Sequence, residues 1–120
     1  MNESFPSPES IRITDEQAIE ALQNKDARPE SQATFEKWLD QAQEEIDRIY
    51  ESEGSEAAAV ASIKWAIKRA TVYYRAGFTS VAIEDLTETC DAASSRLFDE
   101  SGLHEEAVSL LERIKVGEKM

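Results

Sequence analysis

Five groups of residues in this chain are of types that could do chemistry. His104 is the only histidine. It follows Glu100 by four positions, a spacing at which one helical face could offer a metal both an imidazole and a carboxylate. Glu84, Glu88 and Asp91 share another helical face, and paired carboxylates are the raw material of general acid and base catalysis. Cys90 is the only cysteine and the only candidate thiol nucleophile. Trp65, Lys68, Arg69 and Val72 combine an aromatic ring, two cations and an apolar side chain within two helical turns, a composition found at the centres of protein interfaces. Glu36, Asp40, Glu44, Asp47 and Glu51 form a stripe of acids within about 80° of one another at 100° per residue.

The first three groups lack what their chemistry needs. The Glu-x-x-His spacing of di-iron bundles is absent, and His104 beside Glu105 and Glu106 reads as an exposed residue of a first turn. Carboxylate catalysis requires a shaped, partly dry pocket, and helical spacing alone supplies none for Glu84, Glu88 and Asp91. Cys90 falls on an apolar seam between Leu86 and Ala93, where a thiol behaves as a small hydrophobe. Glycine-rich phosphate loops, Gly-x-Ser-x-Gly and His-Glu-x-x-His do not occur. No catalytic residue, metal ligand or cofactor is therefore assigned, and the chain is not expected to be an enzyme. A metal-binding or small-molecule enzyme of the bundle type is the third and weakest reading.

These residues sit on a chain whose pattern is helical throughout. With 41% hydrophobic residues, four glycines and no convincing strand, 120 residues suffice for one domain with one core. The net charge of −12 disfavours nucleic acid and anionic membranes, which need cationic groups, and leaves a basic protein partner open. A single cysteine excludes an internal disulfide. The first ten residues carry neither the basic nor the apolar segment of a secretory signal, so the expected compartment is the cytoplasm.

The stretch Ser55 to Gly77 organises the rest. Ser55 is positioned to cap a helix and Gly77 to end it. Between them, Val60, Ile63, Ile67, Ala70 and Tyr74 make one apolar stripe, while Ala58, Ala61, Trp65 and Val72 make a second. Only Lys64, Lys68, Thr71 and Arg75 mark a wet strip, so this helix should be covered on two sides. Residues 1–10 read as a disordered tail, and 11–117 as the domain. Thr14 with Gln17 forms a capping box, and Ile13 with Ala18 a hydrophobic staple, for a short first helix from Asp15 to Lys25 that buries Ala18, Ile19 and Leu22. A linker at 26–29 leads to a second helix, Pro29 to Ser52, whose seam is Phe35, Leu39, Ala42, Ile46 and Ile49, flanked by Trp38 and Tyr50. A fourth helix is expected over Ser80 to Ser101 with Ile83, Leu86, Cys90, Ala93 and Leu97 inward. A fifth, Leu103 to Val116, should bury Leu103, Ala107, Leu110, Leu111 and Ile114. The expected fold is all-α, an up-and-down antiparallel bundle of five helices, four substantial and one short.

Two stretches match 25 positions apart: Gly77-Phe-Thr-Ser-Val-Ala82-Ile and Gly102-Leu-His-Glu-Glu-Ala107-Val. In each, glycine breaks a helix, the next residue plugs the turn, and a small alanine lets two helices approach. With Tyr73 four residues before Gly77, this resembles the inter-helix turn of a tetratricopeptide repeat over about residues 66–114, although that family's period is about 34 residues. The resemblance implies paired helices that present a surface to a peptide or protein. The leading expectation is a small, acidic, non-catalytic protein–protein interaction module, such as an adaptor, chaperone-like or regulatory subunit. It would bind through an apolar groove beside the central helix near Trp65, Lys68, Arg69 and Val72. The alternative is an acidic inhibitor, of the immunity or nucleic-acid-mimic kind, that sets Glu36, Asp40, Glu44, Asp47 and Glu51 against a basic site. The acidic stripe could instead be merely solvated, or neutralised by Lys64, Lys68 and Arg75. Trp65 could lie in a second core layer, and a homodimer is open.

Overall fold

The computed structural model describes residues 12–24, 29–95, 98 and 101–119. Among them are five α-helices and no strand: α1 (Asp15–Asn24), α2 (Pro29–Glu53), α3 (Ser55–Arg75), α4 (Thr79–Ala93) and α5 (Leu103–Lys115). The protein is all-α, a bundle in which each helix packs on its sequence neighbour and α3 also touches α1 and α5. The expectations for residues 1–10, the linker at 26–28, Leu97 and Glu100 fall outside the described residues.

Local chemistry sets each boundary. The Thr14 amide donates to Gln17 Oε1 at 2.8 Å and the Gln17 amide to Thr14 Oγ1 at 3.1 Å, so the capping box opens α1 as expected. Ser55 does not cap α3. It is the first helical residue, and Gly54 takes the cap with φ +99° and no side-chain bond. The reason is that α2 runs to Glu53, leaving one residue to turn the chain. That residue lies at a positive φ that side-chain-bearing residues rarely adopt.

At the far end of α3 the Phe78 amide donates to Tyr73 O at 2.8 Å and the Gly77 amide to Tyr74 O at 3.0 Å. Those two bonds are a Schellman motif, and its usual apolar contact is present as the Tyr73 and Phe78 rings, 6.5 Å apart.

The fourth helix is shorter than expected, ending at Ala93 instead of Ser101. Ser94 closes it, with its hydroxyl donating to Asp91 O at 2.7 Å, the kind of local bond by which serine competes with helix continuation. Phe98, 6% exposed, then fills the space beside α5, and Gly102 in the left-handed region starts that helix.

Two apolar clusters lie on the two sides of α3. One joins Ile63, Ile67 and Ala70 to Ala82, Leu86 and Ala93 of α4, to Phe98, and to Leu103, Ala107, Leu110 and Ile114 of α5. The other joins Val72 and Ala76 to Ala18, Ala21 and Leu22 of α1 and to Phe35 and Trp38 of α2. Both alanines of the repeated Gly-x₄-Ala stretches, Ala82 and Ala107, are fully buried. The central position expected for this helix follows from its two apolar stripes. Ile19 and Leu111, expected inward, are only half-buried.

Candidate functional site

The second-helix seam is filled at one end and open at the other. Phe35 and Trp38 are buried, the latter at 3% exposure, whereas Leu39, Ala42, Ile46 and Ile49 stay half-buried and Tyr50 is exposed. The cause is the length of α1. Its ten residues cover only the first part of α2 and stop where Ile13 meets Gln41. There the Ile13 amide donates to Gln41 Oε1 at 2.6 Å, and Gln41 Nε2 donates back to the Ile13 carbonyl at 3.2 Å.

Beyond that point a groove of about 340 Å³ runs between α2 and α3, near the lower end of the range for ligand sites. Its apolar lining is Ile13, Trp38, Ala42, Ile46, Ala61 and Trp65. The two indole rings meet at 4.5 Å and 58°, and Trp38 Nε1 donates to Asp15 Oδ1 at 3.2 Å. Lys64 and Lys68 edge the groove from α3, Gln41 and Glu45 from α2, and Arg12 and Asp15 close one end. Asp15 also lies 3.8 Å from the Lys68 ammonium, and Glu45 is held by Arg48 at 2.9 Å. Among the described residues, Lys64 and Arg12 have no carboxylate partner.

The four residues of the expected cluster divide. Trp65 is half-buried and lines the groove, and Lys68 is exposed on its edge. Val72 is 2% exposed inside the second core cluster and presents nothing to a partner. Arg69 does not lie against Trp65. Its Nε and Nη2 donate to the two carboxylate oxygens of Asp85 at 2.7 and 2.6 Å. This forked bond raises the guanidinium pKa above its ordinary value, against the opposing effect of burial. Asp85 sits in another helix, sixteen positions away, and no local pattern marks it as the partner. Lys64, Gln41, Arg12 and Asp15 are groove residues that the sequence pattern does not mark as a site. The only sequence signal for their meeting is the capping box, which fixes where α1 begins.

Glu36, Asp40, Glu44, Asp47 and Glu51 are all exposed, on the side of α2 away from the groove. Gln43 Nε2 donates to Asp47 Oδ1 at 3.0 Å, and among the described residues no cation pairs with the stripe. The α3 cations are directed elsewhere: Lys68 faces Asp15, and Arg75 faces Glu16 at 3.3 Å.

Of the groups considered for chemistry, His104, Glu84, Glu88 and Asp91 are exposed. Cys90 is half-buried, and burial, reinforced by Asp91, pushes its thiol up, away from the thiolate that a nucleophile needs. Burial likewise raises the Tyr73 phenol. Among the described residues no group of three or more His, Cys, Asp or Glu is placed to hold a metal ion, and no helix is long and apolar enough to cross a membrane. Compared with protein-family models, with curated proteins and with solved structures, the chain has no significant match.

Proposed function

We propose that this chain is a small, non-catalytic protein–protein interaction module, an adaptor, chaperone-like or regulatory subunit of the cytoplasm, that holds an apolar segment of another protein in the α2–α3 groove. The observation that carries this reading is the half-open seam. Ala42, Ile46 and Trp65 continue the apolar surface that α1 covers at Phe35 and Trp38, and here nothing among the described residues covers it. The tetratricopeptide-like turn at Gly77 supports the same use of paired helices.

The test is acrylamide quenching of tryptophan emission together with an Ile46→Asp variant. An open groove makes the emission of half-buried Trp65 quenchable, and the variant lowers the unfolding midpoint only slightly because the side chain at this position is already half in water. Blue-shifted, unquenchable emission, or collapse of the fold on that substitution, would assign the seam to the core and end the proposal.

A second reading rests on the acidic stripe, whose five carboxylates are exposed together without cationic partners among the described residues. As an acidic inhibitor the protein would associate with a basic site quickly and with strong salt dependence. Reversing Asp40, Glu44 and Asp47 would abolish that association and leave groove binding intact.

A further inference from the structure

We propose that the groove's partner is an acidic amphipathic helix, laid end to end with α1 along the same track between α2 and α3. This deepens the interaction reading above and rests on it. The argument comes from α1, which shows what kind of element this track accepts. It sets small and branched apolar residues, Ala18, Ala21 and Leu22, against Phe35, Trp38 and Val72. It also turns acids toward the cationic strip of α3, Asp15 to Lys68 and Glu16 to Arg75.

Past Gln41 the groove's lining on α2 continues for five residues to Ile46, about 8 Å at 1.5 Å per residue, room for one to two helical turns. Its apolar lining persists as Ala42, Ile46 and Ala61, and a concave surface takes a convex element, which a second concave groove is not. The strip persists too. Lys64 lies one turn before Lys68, exposed, with no carboxylate partner among the described residues, and Arg12 stands at the junction in the same condition. On a chain of net charge −12 these cations are the local exception. An occupant with apolar residues at i, i+3, i+4 and i+7 and acids along its α3-facing edge meets both features.

Long-range repulsion by the net charge and short-range attraction by Lys64 and Arg12 are both screened by salt, with a Debye length of about 10 Å at 0.1 M. Salt dependence therefore does not discriminate, and charge reversal does. The probes are two synthetic peptides of about 16 residues, long enough to populate helix, with one shared Leu/Ala apolar face and either Glu or Lys at every other position. Each is titrated into the full chain while its tryptophan emission is followed, since both indoles line the groove.

The Glu peptide should shift the emission and saturate. Lys64→Glu, at an exposed position that leaves the melting curve unchanged, should weaken it by about 3- to 10-fold and strengthen the Lys peptide. Equal or tighter binding of the Lys peptide to the wild type, or indifference to Lys64→Glu, would overturn the acidic assignment and leave the docking reading standing. If neither peptide changes the emission, the groove takes no helix and both readings fail. A dimer in sedimentation equilibrium that Ile46→Asp dissociates would make a second copy the occupant and overturn the proposal.

Discussion

The two sides of α3 are built from the same kind of pattern and end in different states. Toward α4 and α5 the seam is closed through its middle, with Leu86 fully buried, Ile114 at 1% and Phe98 set in where α4 stops, while Val60 and Tyr74 at its ends are half-buried. Toward α1 and α2 it is closed only as far as Trp38, and then Ala42, Ile46 and Ile49 run on half in water. Apolar periodicity specifies which face of a helix turns inward, and the length of the covering element specifies how much of that face is buried. In this molecule the covering helix on one side is ten residues long, against twenty-five for the helix it covers.

The comparison is sharpest in paired truncations. Leu86→Ala should cost about 2–5 kcal/mol, because a fully enclosed side chain leaves a cavity that its neighbours only partly fill. Chemical denaturation measures it directly, and a loss below about 1 kcal/mol would show that the α4–α5 side is as loosely covered as the other. Next in size is the link on the α4 side. Asp85→Ala strands the Arg69 guanidinium, whose side chain is 30% exposed, and should cost about 1.5–3 kcal/mol. Arg69→Met in the same background should recover part of the loss, since it removes the stranded charge.

Ile46→Ala, at an equivalent seam position on the open side, should cost less than about 1 kcal/mol, the small apolar area it has withdrawn from water. A loss as large as that of Leu86→Ala would mean the two sides do not differ.

What the sequence disclosed follows from the range of each interaction. The Thr14–Gln17 cap, the Gly77 stop and the inward faces of α3 depend on residues within one or two turns, and all could be read directly. The assignment of Ser55 as the cap failed because it depended on where α2 ended, one residue from where α3 began. Leu97 continues the seven-residue spacing of the seam past the serines at 94 and 95, so the sequence pattern overruns the end of α4 at Ala93. Sequence groups Arg69 with Trp65, its neighbour one turn back, whereas its carboxylate partner, Asp85, is in another helix. For the groove, the residues of its lining were visible as a seam, but its openness is a relation between α1 and α2 that no local pattern encodes.

The smallest effect tests the outer face of α2. Glu36–Asp40, Asp40–Glu44 and Asp47–Glu51 are like-charge pairs at i,i+4, each unfavourable by a few tenths of a kcal/mol. No cation among the described residues is ion-paired with these carboxylates, Arg48 being held by Glu45. Asp40→Asn with Glu44→Gln removes the first two pairs, so the double variant should be more stable by a few tenths of a kcal/mol at low salt. The gain should vanish near 0.5 M NaCl, where the Debye length falls to about 4 Å. A loss of stability would mean that these carboxylates make contacts holding α2 in place, so that the acidic face contributes to the fold. A salt-erased gain would mark the acidic stripe, on the opposite side of α2 from the groove, as a surface that the fold does not need.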